Sequence, residues 1–152
     1  MNEQFLYTQE QARAVTGIGQ EALRHWRKRV PYLAAKSGKA ARFSFGDLIG
    51  LAVIREVTDK LGVSIGHVHD GIESLFKTLA EQSVIQAGSI AILKSPDSSL
   101  IGRDTQLGAL GGVATVLVPL DPLIEDLRSK LLNGLRLPPQ SVLPFFAEAV
   151  SQ

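Results

Sequence analysis

The 152-residue chain contains no cysteine, and that absence removes disulfides, thiolate metal sites and cysteine nucleophiles together. Its first residues, MNEQFLYTQEQ, lack the basic stretch and following apolar segment of a signal peptide. Nowhere does an apolar run reach the roughly 18 residues that a membrane-spanning helix needs. These absences predict a soluble, cytoplasmic chain with no membrane partner. Internal repeats and low-complexity tracts are missing too. The segment 108–112, GALGG, keeps neither the glycine spacing of a dinucleotide fingerprint nor the lysine of a P-loop, and reads as a loop. His67 and His69 lie two apart on an expected helix, so they point to different sides, and His25 belongs to another element; no metal site is expected. No Ser, His and acid set stands at a recognisable spacing, so neither a catalytic residue nor a cofactor is expected.

One further shortage is local. Residues 23–43, LRHWRKRVPYLAAKSGKAARF, contain no acid, while Arg24, Arg27, Lys28, Arg29, Lys36, Lys39 and Arg42 are all basic. Net charge over the whole chain is only +1, yet ten basic and six acidic residues in 1–62 stand against six and nine in 63–152. Such asymmetry points to an anionic partner for the first part, with nucleic acid or a membrane surface as the usual candidates. Plain solvation is the bland alternative, although like charges packed this densely repel one another unless something neutralises them.

With 45% hydrophobic residues the chain can bury a real core as one domain or two small ones. Thr8 followed by Gln11 is a capping box for a helix from Gln9, with Ala12 and Val15 inward and Thr16-Gly17 as its stop. Ile18 is an apolar residue in the turn, and Gly19 can cap a second helix running from Gln20 to about Arg29. There Ala22, Leu23 and Trp26 form the buried stripe, which turns Gln20, Glu21, Arg24, His25 and Lys28 outward. Pro31 ends that helix. Ser37-Gly38 is a turn signal between two short stretches expected to pair as a β-hairpin carrying Lys36, Lys39 and Arg42. Ser44 and Asp47 cap a third helix with Leu48, Leu51, Ala52, Ile54, Val57 and Leu61 on its apolar face. Ser64 caps a fourth, whose Ile65, Val68, Ile72, Leu75 and Leu79 make a seam that either packs on the third helix or pairs with a second chain.

Beyond about residue 87 the texture changes. SIAILKS (89–95) and VATVLVP (113–119) read as strands separated by a turn-rich stretch, and Asp121-Pro122 open a helix lined by Leu123, Leu127 and Leu131. The tail contains LPFFAEAV (143–150), expected as a short helix that covers its own module or docks on a partner. The fold class is therefore α+β. The organisation divides into residues 1–82, a helical unit with a small β wing, and 88–152, a small α+β module for dimerisation, partner binding or effector binding.

Two helices joined by a tight turn, the second with a basic outer face and followed by a basic hairpin, make a winged helix-turn-helix. Tyr7-Thr8, Ala12, Thr16-Gly17-Ile18, Leu23-Arg24-His25-Trp26, Arg42-Phe43-Ser44 with Asp47, and Leu61-Gly62-Val63-Ser64-Ile65 together resemble the MerR-type DNA-binding domain over residues 5 to about 72. That family reads approximately as a "TGV" turn, an "LRYY" in the recognition helix, an "RxYS" leaving the wing and a "GFSL" opening the next helix. Here His25-Trp26 replace the two tyrosines, so the family's tyrosine hydroxyl contacts to phosphate are not carried over. The family's long dimerisation helix and the cysteine effector site of its metal sensors have no counterpart.

The resemblance implies a double-stranded DNA partner and a sequence-specific transcription regulator of bacterial or phage type, acting as a homodimer on a two-fold related operator. Gln20, Glu21 and Arg24 are expected at base edges in the major groove, and His25, Lys28, Lys36, Lys39 and Arg42 at phosphates. Arg24 holding a phosphate is the alternative for that residue. A competing reading keeps DNA binding but gives the second module a partner protein, as in an antitoxin or a phage packaging or excision factor. A third gives that module a small-molecule pocket.

Overall fold

The computed structural model describes residues 5–82, 85–94, 98–102 and 115–133. Strand β1, Leu6–Tyr7, leads into helix α1, Gln9–Thr16. The expected capping box is made: Gln11 N donates to Thr8 Oγ1 at 3.2 Å, and Thr8 N donates to Gln11 Oε1 at 2.9 Å. Gly17 ends the helix in the left-handed region at φ 72°, a conformation that favours glycine, and its N–H donates to Arg13 O at 2.8 Å. Ile18 is buried in the turn. Helix α2, Gln20–Arg29, follows from the Gly19 cap and buries Leu23 and Trp26.

The next segment departs from the sequence-based expectation. Pro31 does more than stop α2: its preset φ suits a first helical position, and it opens a short helix α3, Pro31–Ala34. No hairpin forms across Ser37-Gly38. Gly38 does turn, at φ 83°, but the chain from 35 to 42 is a loop without strands. Strand β2, Phe43–Ser44, pairs instead with β1, Tyr7 opposite Phe43 and Leu6 opposite Ser44. Phe43 and Tyr7 are both buried, so the pairing follows from two aromatic side chains entering the core together.

Helix α4, Phe45–Arg55, starts from the second capping box, Ser44 with Asp47, and buries every residue from Asp47 to Ile54. A helix apolar on all sides belongs at the centre of a fold. Accordingly α1 and two later helices, Ile65–Glu81 and Asp121–Leu132, all pack on it. Its chain continues through a π-helical turn, Glu56–Lys60, to Gly62 at φ 65°. Helix α5, Ile65–Glu81, is capped by Ser64, whose Oγ accepts from Gly66 N at 3.2 Å. Ile65, Ile72, Leu75 and Leu79 of the seam are buried within the chain and Val68 is half-buried, with α5 packed on α4. At Gly50 the two helices come so close that a Cβ would fall on the Phe76 ring.

The second part is a three-stranded antiparallel sheet in the order β4-β3-β5, formed by β3 Ile90–Lys94, β4 Ser98–Gly102 and β5 Thr115–Pro119. Strands β3 and β5 are the two expected from their apolar runs. Strand β4 lies in the stretch read as turns, because its SSLIG lacks the β-branched pattern that marks a strand. Helix α6, Asp121–Leu132, begins with Pro122 in its first turn, as expected. Asp121 does not act as the cap foreseen for that helix: its Oδ2 accepts from Gly88 N at 2.8 Å and fastens the turn before β3. Ala91, Leu93, Val118, Ile124, Leu127 and Leu131 share one buried apolar cluster with α1, α2, α4 and α5. The chain is thus α+β, mainly helical with small antiparallel sheets, and no described helix is long and apolar enough to cross a membrane. The loop reading of 108–112 and the short helix expected at 143–150 lie outside the described residues.

Candidate nucleic-acid interface

Helix α2 divides as its 3.6-residue period requires. Leu23 and Trp26 are buried, Ala22 and Arg27 are half-buried, and Gln20, Glu21, Arg24, His25, Lys28 and Arg29 are exposed. The angle at which α1 presents α2 is fixed by the turn between them. Arg13 Nε donates to Ile18 O at 3.2 Å, and Arg55 Nη1, reaching from α4, donates to Thr16 O at 2.7 Å. Two guanidinium groups therefore satisfy carbonyls that the ends of α1 and its turn would leave open.

Glu21 and Arg24 pair across one turn at 3.4 Å, with side chains 82% and 63% exposed. Such a pair is worth little and opens easily, which leaves both groups available to a ligand. Lys28, Arg29, Lys39 and Arg42 are exposed and have no carboxylate partner among the described residues. Elsewhere the pattern is different. Arg55 pairs with Asp59, Lys60 with Glu56, Lys77 with Glu73 and Lys130 with Asp126. Among the described residues, exposed cations without a neutralising acid gather on α2 and the 35–42 loop, with Arg128 of α6 as the outlying case.

Lys36 is the exception among the residues expected at phosphate. Its ammonium is 2.9 Å from Asp47 Oδ2, donates to Arg42 O at 2.9 Å, and lies 5.5 Å and 5.9 Å from the ring centroids of Tyr32 and Phe43. With 27% of its side chain exposed, it is an internal tie of the loop. The reason is non-local, since the α4 cap carries a carboxylate that faces back toward the loop. Sequence spacing shows Asp47 as a cap and gives no sign of this second use.

Arg27, which the periodicity leaves at the flank of α2, is another tie. Its Nη2 donates to Gln9 Oε1 at 2.5 Å and to Lys36 O at 2.6 Å, joining α1, α2 and the loop. Burial pushes its guanidinium below its usual value, and its Nε is buried without a partner. Arg42 Nη1 folds back onto the carbonyls of Lys39 and Ala41 at 3.0 and 2.9 Å, so the loop tip is closed on itself while the charge stays exposed. Tyr32 completes the support: its hydroxyl donates to Asp47 Oδ1 at 2.7 Å, its N–H to Glu73 Oε2 at 2.8 Å, and its ring stacks on Phe76 at 4.9 Å. Arg29 belongs with the exposed cations although only its place in the basic run marked it.

The chain matches no family model, no curated protein and no solved structure with which it was compared. Its function is accordingly argued from the site.

Proposed function

We propose that residues 5 to about 72 form a MerR-like winged helix-turn-helix and that the protein is a sequence-specific DNA-binding transcription regulator of bacterial or phage type. The observation that carries this reading is the uneven neutralisation of charge. Cations elsewhere on the described surface mostly have carboxylates, whereas Lys28, Arg29, Lys39 and Arg42 on α2 and the adjoining loop have backbone or solvent, and the Arg24 pair with Glu21 is exposed and weak. A surface left cationic in the free protein releases counterions from DNA on binding.

In this reading α2 enters the major groove. Gln20 addresses adenine, Glu21 accepts from the cytosine amino group and Arg24 grips guanine. His25, Lys28, Lys39 and Arg42 hold phosphates on either side, and the 35–42 loop takes the place of a hairpin wing. Lys36 supports that loop and leaves the contact set.

One small module covers few base pairs, so the protein acts as a homodimer on a two-fold related operator. Because most of the α5 seam is buried within the chain, the dimer interface is placed elsewhere. Selection of binding sites from random duplexes tests the whole reading: a two-fold symmetric motif is the expected outcome, and recovery of unselected sequence overturns it.

A further inference from the structure

We infer that Asp47 is a positioning residue for the cationic loop 35–42, acting through Lys36 and Tyr32 without touching DNA. The inference rests on the DNA-binding reading of α2 and the loop. With no strand of its own, the loop has sparse backbone ties, among them Lys36 N to Leu33 O at 3.0 Å and Ala41 N to Gly38 O at 3.2 Å. Side chains supply the rest. The Lys36 ammonium bridges the loop's beginning to its end by donating to Arg42 O, and Asp47 Oδ2 holds that ammonium at 2.9 Å. Asp47 Oδ1 takes the Tyr32 hydroxyl at 2.7 Å, which fixes the helix from which the loop departs.

A capping box uses only the Ser44 N–H and the Asp47 N–H. The two further donors, Lys36 and Tyr32, exceed what a cap requires; Lys36 lies in the loop that carries Lys39 and Arg42, and Tyr32 in the helix immediately before it. Asp47 is 1% exposed, so its contacts are charge-assisted and sheltered from water. Removing its charge leaves the Lys36 ammonium without its counter-ion and frees the loop ends.

Bare charge and positioning predict opposite signs for one substitution. Asp47→Asn makes the protein more cationic, so by charge alone it tightens DNA binding or leaves it unchanged. By positioning it weakens binding by about tenfold, because Lys39 and Arg42 lose their register on the phosphates.

The test is a double-mutant cycle on the full chain, measuring duplex affinity for the unaltered protein, Asp47→Asn, Lys39→Ala and the double variant, together with amide exchange over 36–42 in the absence of DNA. Positioning is supported by weaker binding in Asp47→Asn, by a Lys39→Ala effect that shrinks in that background, and by exchange about tenfold faster in the loop. Equal or tighter binding, additive effects and unchanged exchange overturn it. If Asp47→Asn does not fold, Tyr32→Phe, which removes one donor and no charge, enters the same cycle with the same criteria at smaller size. Should the unaltered protein itself fail to bind duplex DNA, the functional reading falls, and the exchange measurement alone decides whether Asp47 orders the loop.

Discussion

Glu21 and Arg24 stand one turn apart on the outer side of α2, and their pairing sets up a test at single-residue resolution. Arg24→Ala removes a bidentate donor and is expected to cost about 1–3 kcal/mol on the selected site, with a smaller loss on unrelated duplexes. Glu21→Ala removes an anion from a surface that meets phosphates, so it raises affinity for unrelated sequence while narrowing the gap to the selected one. Fluorescence anisotropy on the two duplexes measures both; equal changes on both duplexes contradict base readout by this pair. Tyr32 offers a pH test. Burial, the hydrogen bond to Asp47 and the charges of Asp47 and Glu73 all raise its phenol above the ordinary value. The folded state then holds that proton more tightly than the unfolded chain, so its stabilising contribution is present below the ordinary pKa of about 10 and is lost as pH rises beyond it. Urea midpoints measured from pH 9 to 11 are expected to fall with pH, and Tyr32→Phe is expected to flatten part of that decline; Tyr7, also raised by burial, accounts for a remainder.

Elements were legible in the sequence where their ends are chemically marked. The boxes Thr8 with Gln11 and Ser44 with Asp47, Gly17 and the Ser64 cap all signal locally, and α1, α4 and α5 begin accordingly; α4, however, gives way to the π-helical turn after Arg55, which leaves Leu61, expected on its apolar face, exposed. What escaped is non-local or weakly patterned. The β1 and β2 pairing joins residues on either side of three helices, and neither dipeptide alone reads as a strand. Pro31 was legible as a stop and not as a start, since the same fixed φ serves both uses. The exposed side of α2 was legible from its period, whereas the inward turn of Lys36 depended on where α4 carries Asp47. The α4 and α5 contact gives a prediction at this scale. Gly50→Ala puts a methyl group against the Phe76 ring, and an overpacking cost of roughly 1–3 kcal/mol is expected in urea unfolding. An unchanged midpoint would show that the helices are farther apart than described.

Over the whole molecule, one buried cluster links the helical part to the sheet and α6, and α6 lies against both α1 and α4. Charge is arranged on a different plan from the core. The first 62 residues carry the basic excess, yet Arg55 and Lys60 within them are matched by acids, and Lys36 is consumed inside. The remaining positive field is concentrated on α2 and the loop, and binding through such a field has a salt dependence set by the number of phosphates engaged. Titration of the selected duplex at several salt concentrations therefore tests the account most directly. Lys39→Ala and Arg42→Ala are each expected to lower the slope of log affinity against log salt by about 0.9, while Lys60→Ala and Lys130→Ala leave it unchanged. Slopes that fall equally in all four variants, or that fall in none, would contradict the proposal that α2 and its loop are the surface that meets DNA.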